Sequence, residues 1–249
     1  VTFALKFFAR KRLNLRWAVL GVTLGLTIAV FVWHRAVLTS MAAWLDVGEK
    51  PQRCDLVLLL NGDYNTRPFV AAALVKGRWA PRVAFAKCKR SPAEIDGSIP
   101  LNEEMNFRIF QHCGLSKDDV VMLSADADTT FDEVKALSVY LDQQPAAKIA
   151  VVTEGPHTRR AKWIVEKVLG RKVERIVMIT APMDDFQANN WWRNEIGVLF
   201  ILSEYAKLVF YWFRYGLLAY ELAAVAMVAF LIGWLVLFWR RAAARTSRS

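Results

Sequence analysis

The 249-residue chain is poor in the residues that mark common enzyme chemistry. It has three cysteines, Cys54, Cys88 and Cys113, and no two stand at the spacing of a zinc-ligand pair, which excludes a zinc-ribbon or zinc-finger framework. Three is also an odd number. One pair bridged in an oxidising compartment, with one thiol left over, is one reading. Three buried thiols acting as small apolar side chains is the other, and it is preferred. A middle segment of about 165 residues is large enough to fold around an ordinary core without a disulfide framework. There is no P-loop, no G-x-G-x-x-G, no G-x-S-x-G and no H-E-x-x-H, so nucleotide, dinucleotide, serine-hydrolase and zincin chemistry find no support. No metal-ligand cluster, internal repeat or low-complexity segment is present, and the sequence names no cofactor.

Acidic residues are missing from both ends. Lys6, Arg10, Lys11, Arg12 and Arg16 precede the first long apolar run, and Arg240, Arg241, Arg245 and Arg248 follow the last. These nine account for most of the net charge of +10, because the other 24 basic residues nearly balance all 23 acids. The basicity is thus a property of the ends and not a stripe, and nucleic acid is not an expected partner.

What the ends flank is apolar. Residues 17–33 (WAVLGVTLGLTIAVFVW) carry no charge, and the run extends through 36–45. Residues 217–239 carry one charge, Glu221, near their start. About 20 apolar residues span a bilayer as a helix. Trp17, Trp33, Trp234 and Trp239 stand where indole rings favour the headgroup level. Flanking basic residues stay on the cytoplasmic side. The expected layout is a cytoplasmic tail (1–16), a transmembrane helix with linker (17–45), an extracytoplasmic α/β domain (46–215), a second transmembrane helix (216–239) and a cytoplasmic tail (240–249). This places the protein in a bacterial inner membrane with the lipid bilayer as its first partner. No small-x-small site closes the first run, and His34 and Arg35 follow it, so a retained anchor is expected over a cleaved signal peptide. Residues 196–213 are also apolar, but Glu204 and Lys207 interrupt them. They are read as a helix packed on the domain and reaching the bilayer.

Between the anchors, strand and helix patterns alternate. Unbroken apolar runs at 55–60, 82–86, 119–123, 148–153 and 175–179 suit strands buried on both faces. Helical stripes fall at 68–76, 102–113, 130–141 and 158–169, with Gly114 and Gly170 closing two of them. In 102–113 the inward face is expected to be Met105, Ile109, Phe110 and Cys113. Residues 87–100 read as the longest loop. The alternation implies an α/β domain: a parallel sheet of about five strands with helices on both faces.

Ligands of open parallel sheets bind beyond the carboxyl ends of the strands. Those ends should carry Asn61-Gly62-Asp63, Ala86-Lys87, residues 124–130 and residues 153–160. The last, TEGPHTRRA from Thr153, follows a strand and opens a helix, where free backbone N–H groups favour an anion. His157 and Arg160 share a face there. They either hold an anion, with His157 as proton donor, or His157 caps the turn while Arg160 pairs with an acid. Asp128-Thr129 and the T-x-x-D and T-x-x-E that follow read first as a capping box. Glu103 and Glu104 start a helix, where acids suit the dipole. Asn61-Gly62 alone is a weak phosphate signal. Arg67 is within reach of the same rim, or else a surface residue.

In order, these pieces resemble the YdcF/SanA/ElyC-like family of bacterial envelope proteins over residues 55–207. The likeness lies in DLVLLLNG followed by Arg67, Glu104 ahead of a helix ending in Gly114, Asp128-Thr129 with Glu133, VVTEGPHTRRA with its H-x-x-R, Trp191-Trp192, and Glu204 with Lys207. The chain departs from the family where Ala86-Lys87 replaces a Ser-Gly-Gly turn and where the first loop is poorer in glycine. The resemblance implies a Rossmann-like, membrane-tethered domain of peptidoglycan, polysaccharide or lipid-carrier metabolism that binds or processes an anionic precursor. It carries over His157 and Glu104 as catalytic residues and Arg67, Asp128, Thr129 and Arg160 as ligand-binding ones, joined on the same rim by Asn61, Gly62 and Thr153. The alternative is a non-catalytic accessory subunit of a membrane protein complex.

Overall fold

The computed structural model describes residues 2–183, 186–215, 222–223, 225–231 and 233–234. Most of the expected second membrane segment and the basic tail after it lie outside the described residues. The chain divides into two units, Val1–Val198 and Leu199–Ser249.

The first unit opens with one helix, α1 (Thr2–Leu45). Around Leu20–Trp33 its apolar side chains are exposed rather than packed, as suits a helix whose solvent is lipid. Two helices among the described residues are long and apolar enough to cross a bilayer by length and composition: Leu20–Leu45 of α1, and Glu195–Arg214 within α7 (Glu195–Tyr215). α7, expected to lie on the domain, thus meets the same criterion as α1. Its two interrupting charges, Glu204 and Lys207, pair at 3.0 Å, which lowers the cost of carrying them in an apolar setting.

Five parallel strands form one sheet in the order β3-β2-β1-β4-β5: β1 (Leu56–Leu59), β2 (Val83–Cys88), β3 (Val120–Ala127), β4 (Lys148–Glu154) and β5 (Arg175–Ala181). Every residue of β1 is buried, which accounts for its unbroken apolar run. On one face Val57, Leu59, Phe85 and Val152 pack with Ala71, Ala72 and Leu74 of α2 (Arg67–Lys76) and Phe110 of α4 (Asn102–His112). The other face meets α5 (Thr130–Gln143) and α6 (Gly155–Leu169), whose Val134, Leu137, Ile164 and Val165 are fully buried.

Three local expectations need correction. The loop at 87–100 contains a short helix, α3 (Pro92–Ile95), started by a Ser91–Glu94 capping box. Strands β2 and β3 run beyond their apolar segments, pairing Cys88 with Ala127 after an irregularity between Ala86 and Cys88. Backbone pairing continues where hydrophobicity stops, so residues 124–127 are strand and not loop. In α4 the buried stripe is Asn102, Asn106 and Phe110; of the expected inward face Phe110 is buried, whereas Met105, Ile109 and Cys113 are only partly so. Two asparagines face inward because other amides and a phenol satisfy them there.

The anchor helix is locked to the first turn of α6. Val47 N donates to Thr158 Oγ1 at 2.8 Å. Arg159 Nε donates to Trp44 O, and its guanidinium lies 4.0 Å from the Trp44 ring centroid. Trp191 Nε1 donates to Leu38 O at 2.8 Å. Since α6 begins where β4 ends, the anchor meets the body at the carboxyl end of the sheet.

Candidate functional site

Strands β2 and β3 lie to one side of β1 and strands β4 and β5 to the other. The connections diverge between β1 and β4, and such a point opens a crevice at the carboxyl ends of the strands. Here those ends bring buried polar residues together from segments far apart in sequence.

Arg67 opens α2 and is 5 % exposed. Its guanidinium donates to Leu60 O at 3.0 Å and Asn61 O at 2.6 Å, and bonds Glu154 Oε2 at 2.5 Å. Glu154 ends β4 and stands at the N-cap of α6, yet its side chain makes no cap hydrogen bond. Its carboxylate is directed to Arg67 instead. The residue expected to hold an anion is thus already paired with one from within the chain.

On the other face of the sheet, because successive strand residues point to opposite sides, Thr153 Oγ1 lies 2.8 Å from His157 Nδ1 of α6, with both residues buried. The contact fixes the ring's orientation, as required of an imidazole that moves a proton at its other nitrogen. Arg160 is buried one turn on, 7 % exposed. The helix starts at Gly155, with Pro156 in its first turn, so His157 stands on the helix rather than in the loop before it.

On the β2 side lies a second polar group. Glu133, in the first turn of α5, is buried, and its Oε1 accepts from Asn61 N at 2.9 Å and Asn61 Nδ2 at 2.8 Å. Asn61 Nδ2 also donates to Ala86 O at 2.8 Å, and Asn61 Oδ1 accepts from Asn106 Nδ2 at 2.9 Å. Asn102 continues the row, accepting from Asn106 and donating to Tyr64 Oη at 2.6 Å. Burial pushes the Glu133 carboxyl up to about 7 despite the opposing Asn61 hydrogen bonds and the Arg67 charge. Burial, joined by Glu133 and other carboxylates, pushes the nearby Cys88 thiol up to about 12, which leaves it unreactive. Burial alone would raise the Asp63 carboxyl as well, but hydrogen bonds from Asn65, Thr66 and Arg67 outweigh it and hold Asp63 below its usual range.

The structure therefore brings Asn61, Gly62 and Arg67 together at the end of β1 and Thr153 and His157 together at the β4–α6 junction, on opposite faces of the sheet, with Arg160 buried one turn further along α6. Gly62 has φ 121°, and a Cβ there would meet the Arg67 guanidinium at 3.5 Å. It does not gather Glu104, Asp128 or Thr129. Glu104 is exposed on α4, facing Arg108 at 3.8 Å. Asp128 is carried past the rim by the overhang of β2 and β3 and pairs with Lys89 at 3.2 Å. Thr129 is the N-cap of α5, in a capping box with Asp132. Glu133, Glu154, Asn102, Asn106 and Tyr64 are members that sequence reasoning missed. Glu133 stood in the family likeness without being assigned to the site, and the i, i+4 spacing of Asn102 and Asn106 on a helix was a further signal.

A cavity of about 380 Å³ adjoins this rim, between the end of α1 and the start of α6, with Asp46, Gly48, Pro156 and Thr180 in its walls. Asp46 Oδ1 accepts from Gly48 N and Thr180 Oγ1, both at 2.8 Å. Among the described residues no three His, Cys, Asp or Glu side chains gather as metal ligands do. No family model matches the chain, and no curated protein matches it either.

Proposed function

We propose that the chain is a membrane-anchored envelope protein, of the kind it resembles, whose extracytoplasmic domain binds or processes an anionic envelope precursor at the carboxyl rim. The observation that supports this reading is the set of buried polar residues near the carboxyl ends of β1 and β4, the Arg67–Glu154 pair on the α2 face and Thr153, His157 and Arg160 on the β4–α6 side. Buried ionisable groups cost stability, and a fold gathers them where a ligand or a reaction repays that cost. Arg160 and the first N–H groups of α6 attract the anion. His157, oriented by Thr153, transfers a proton. Both membrane tails are cytoplasmic in this reading, which follows from their basic residues. The anchor joins the body at the rim's end of the sheet, so a ligand at the bilayer surface has a short path to it.

A specific observation favours the second reading, a non-catalytic subunit of a membrane complex. Arg67 is neutralised by Glu154, and the side-chain amide of Asn61 is occupied on both its nitrogen and its oxygen. Groups held this way can be structural alone.

One experiment separates the two readings. His157→Gln keeps an acceptor for Thr153, and Arg160→Gln keeps a donor. In cells lacking the wild-type gene, both variants should insert and melt normally yet lose function, with His157→Gln costing about 100-fold in any catalysed step. Folded variants with full activity would remove the rim from the function and leave the subunit reading.

A further inference from the structure

A second cavity, open to solvent, lies at the other end of the sheet, where segments at the amino ends of β1, β2 and β3 border about 570 Å³. Arg53, Lys76 and Arg78 border it, Trp79 forms a wall, and Cys54 and Leu115 give it an apolar floor. Among the described residues none of the three cations makes an ion pair. The one acid in the lining, Asp119, is turned to its own helix turn, where Oδ2 accepts from Ser116 N and Ser116 Oγ, both at 2.7 Å. Its carboxylate stays ionised, so the three exposed cations leave the lining with an excess of two positive charges, offset in part by the carbonyl ends of α2 and α4, which finish at this cavity.

Arg78 stands out in its backbone. Its φ is 58°, the one positive φ outside glycine among the described residues. It occupies the turn that closes α2: Arg78 N donates to Val75 O at 2.9 Å, and Trp79 N donates to Leu74 O at 2.9 Å. In this helix-ending motif the left-handed position is ordinarily glycine, because a Cβ is strained there. The chain places its glycine one position earlier. A Cβ on Gly77 would lie 2.9 Å from Trp79 Cδ1, so Gly77 lets the indole lie against the turn. An arginine thus holds a position that glycine would fill at lower cost, next to an indole that is 41 % exposed. Strain retained at a charged residue on a cavity is a reason to look for a ligand there.

We propose that this cavity binds a small phosphate monoester carried on a ring. A lining with two positive charges in excess matches a dianion better than a single carboxylate. Two of them are guanidinium forks suited to phosphate oxygens. The ring would rest on Trp79 above the apolar floor, and the volume is that of a small-molecule site. The site is at the opposite end of the sheet from the rim and does not depend on the function proposed for it.

The test uses the full chain in detergent, labelled with 5-fluorotryptophan, with the Trp79 resonance assigned by Trp79→Phe. Phenyl phosphate should shift that resonance saturably. Inorganic phosphate and phenol, titrated separately, should each bind at least tenfold more weakly. Arg78→Gly relieves the backbone, so it should raise the melting temperature by about 2–4 °C while weakening phenyl phosphate about tenfold or more. Arg53→Gln should weaken it similarly without the gain in stability. No saturable shift at millimolar phenyl phosphate would overturn the proposal, as would undiminished affinity in Arg78→Gly. Inorganic phosphate binding as tightly as phenyl phosphate would overturn the ring contact.

Discussion

Arg67→Ala should destabilise the protein by about 3–5 kcal/mol, the cost of leaving a buried charge without its partner. Glu154 loses the guanidinium that bonds it at 2.5 Å, and the carbonyls of Leu60 and Asn61 lose their donor. Both side chains are close to fully buried, so water does not replace what is lost. A fall of roughly 10 °C in melting temperature is expected. The double variant Arg67→Met with Glu154→Leu should recover most of it, because paired removal leaves no orphaned charge. An Arg67→Ala protein that melts within 2 °C of wild type, on the scale set by about 2–4 °C per kcal/mol, would mean that the pair does not hold β1 to β4. If the double variant is stable but inactive, the pair serves the function and not only the fold.

Glu133→Gln should stabilise the protein at alkaline pH, by an amount on the order of 3 kcal/mol. Burial raises this carboxyl from an ordinary 4.5 to about 7 in the folded chain. Between those values the folded state holds a proton that the unfolded state has released, so the group's contribution is full below pH 4.5 and falls as pH rises to about 7. Glutamine keeps the Oε1 acceptor for Asn61 N and Asn61 Nδ2 and has no charge to desolvate. The two proteins should therefore melt alike near pH 4.5 and diverge up to pH 7, with the difference constant beyond it. Asp63 and Glu94, held below their usual range, act in the opposite direction at acid pH, but they are common to both proteins and cancel in the difference. A Glu133→Gln variant less stable than wild type at pH 8 would show that the carboxylate is favourable where it lies.

The sheet was legible because its central strands are buried on both faces, and such strands are written as unbroken apolar runs. The same rule misplaced the ends of β2 and β3. It follows hydrophobicity, and pairing goes on through Lys87-Cys88 and residues 124–127 without it. It misread α4 because Asn102 and Asn106 are buried polar residues, satisfied by partners that only the folded chain supplies. The shared, buried side of α6 that carries His157 and Arg160 was legible from their spacing within one helix. The Arg67–Glu154 pair was not, because the two residues are 87 apart in sequence and meet only through the β1–β4 pairing. Glu104 was misjudged by helix phase: two residues past buried Asn102, it points to solvent.

The account rests on the rim at the ends of β1 and β4 being the place where the protein meets its ligand. The most direct measurement is a crystal structure of protein extracted in mild detergent from the membrane in which it is made. The account predicts density for an anionic molecule within hydrogen-bond reach of His157 and Arg160. A ligand bound elsewhere, with the Thr153–His157 and Arg67–Glu154 contacts intact and only water at the rim, would contradict it.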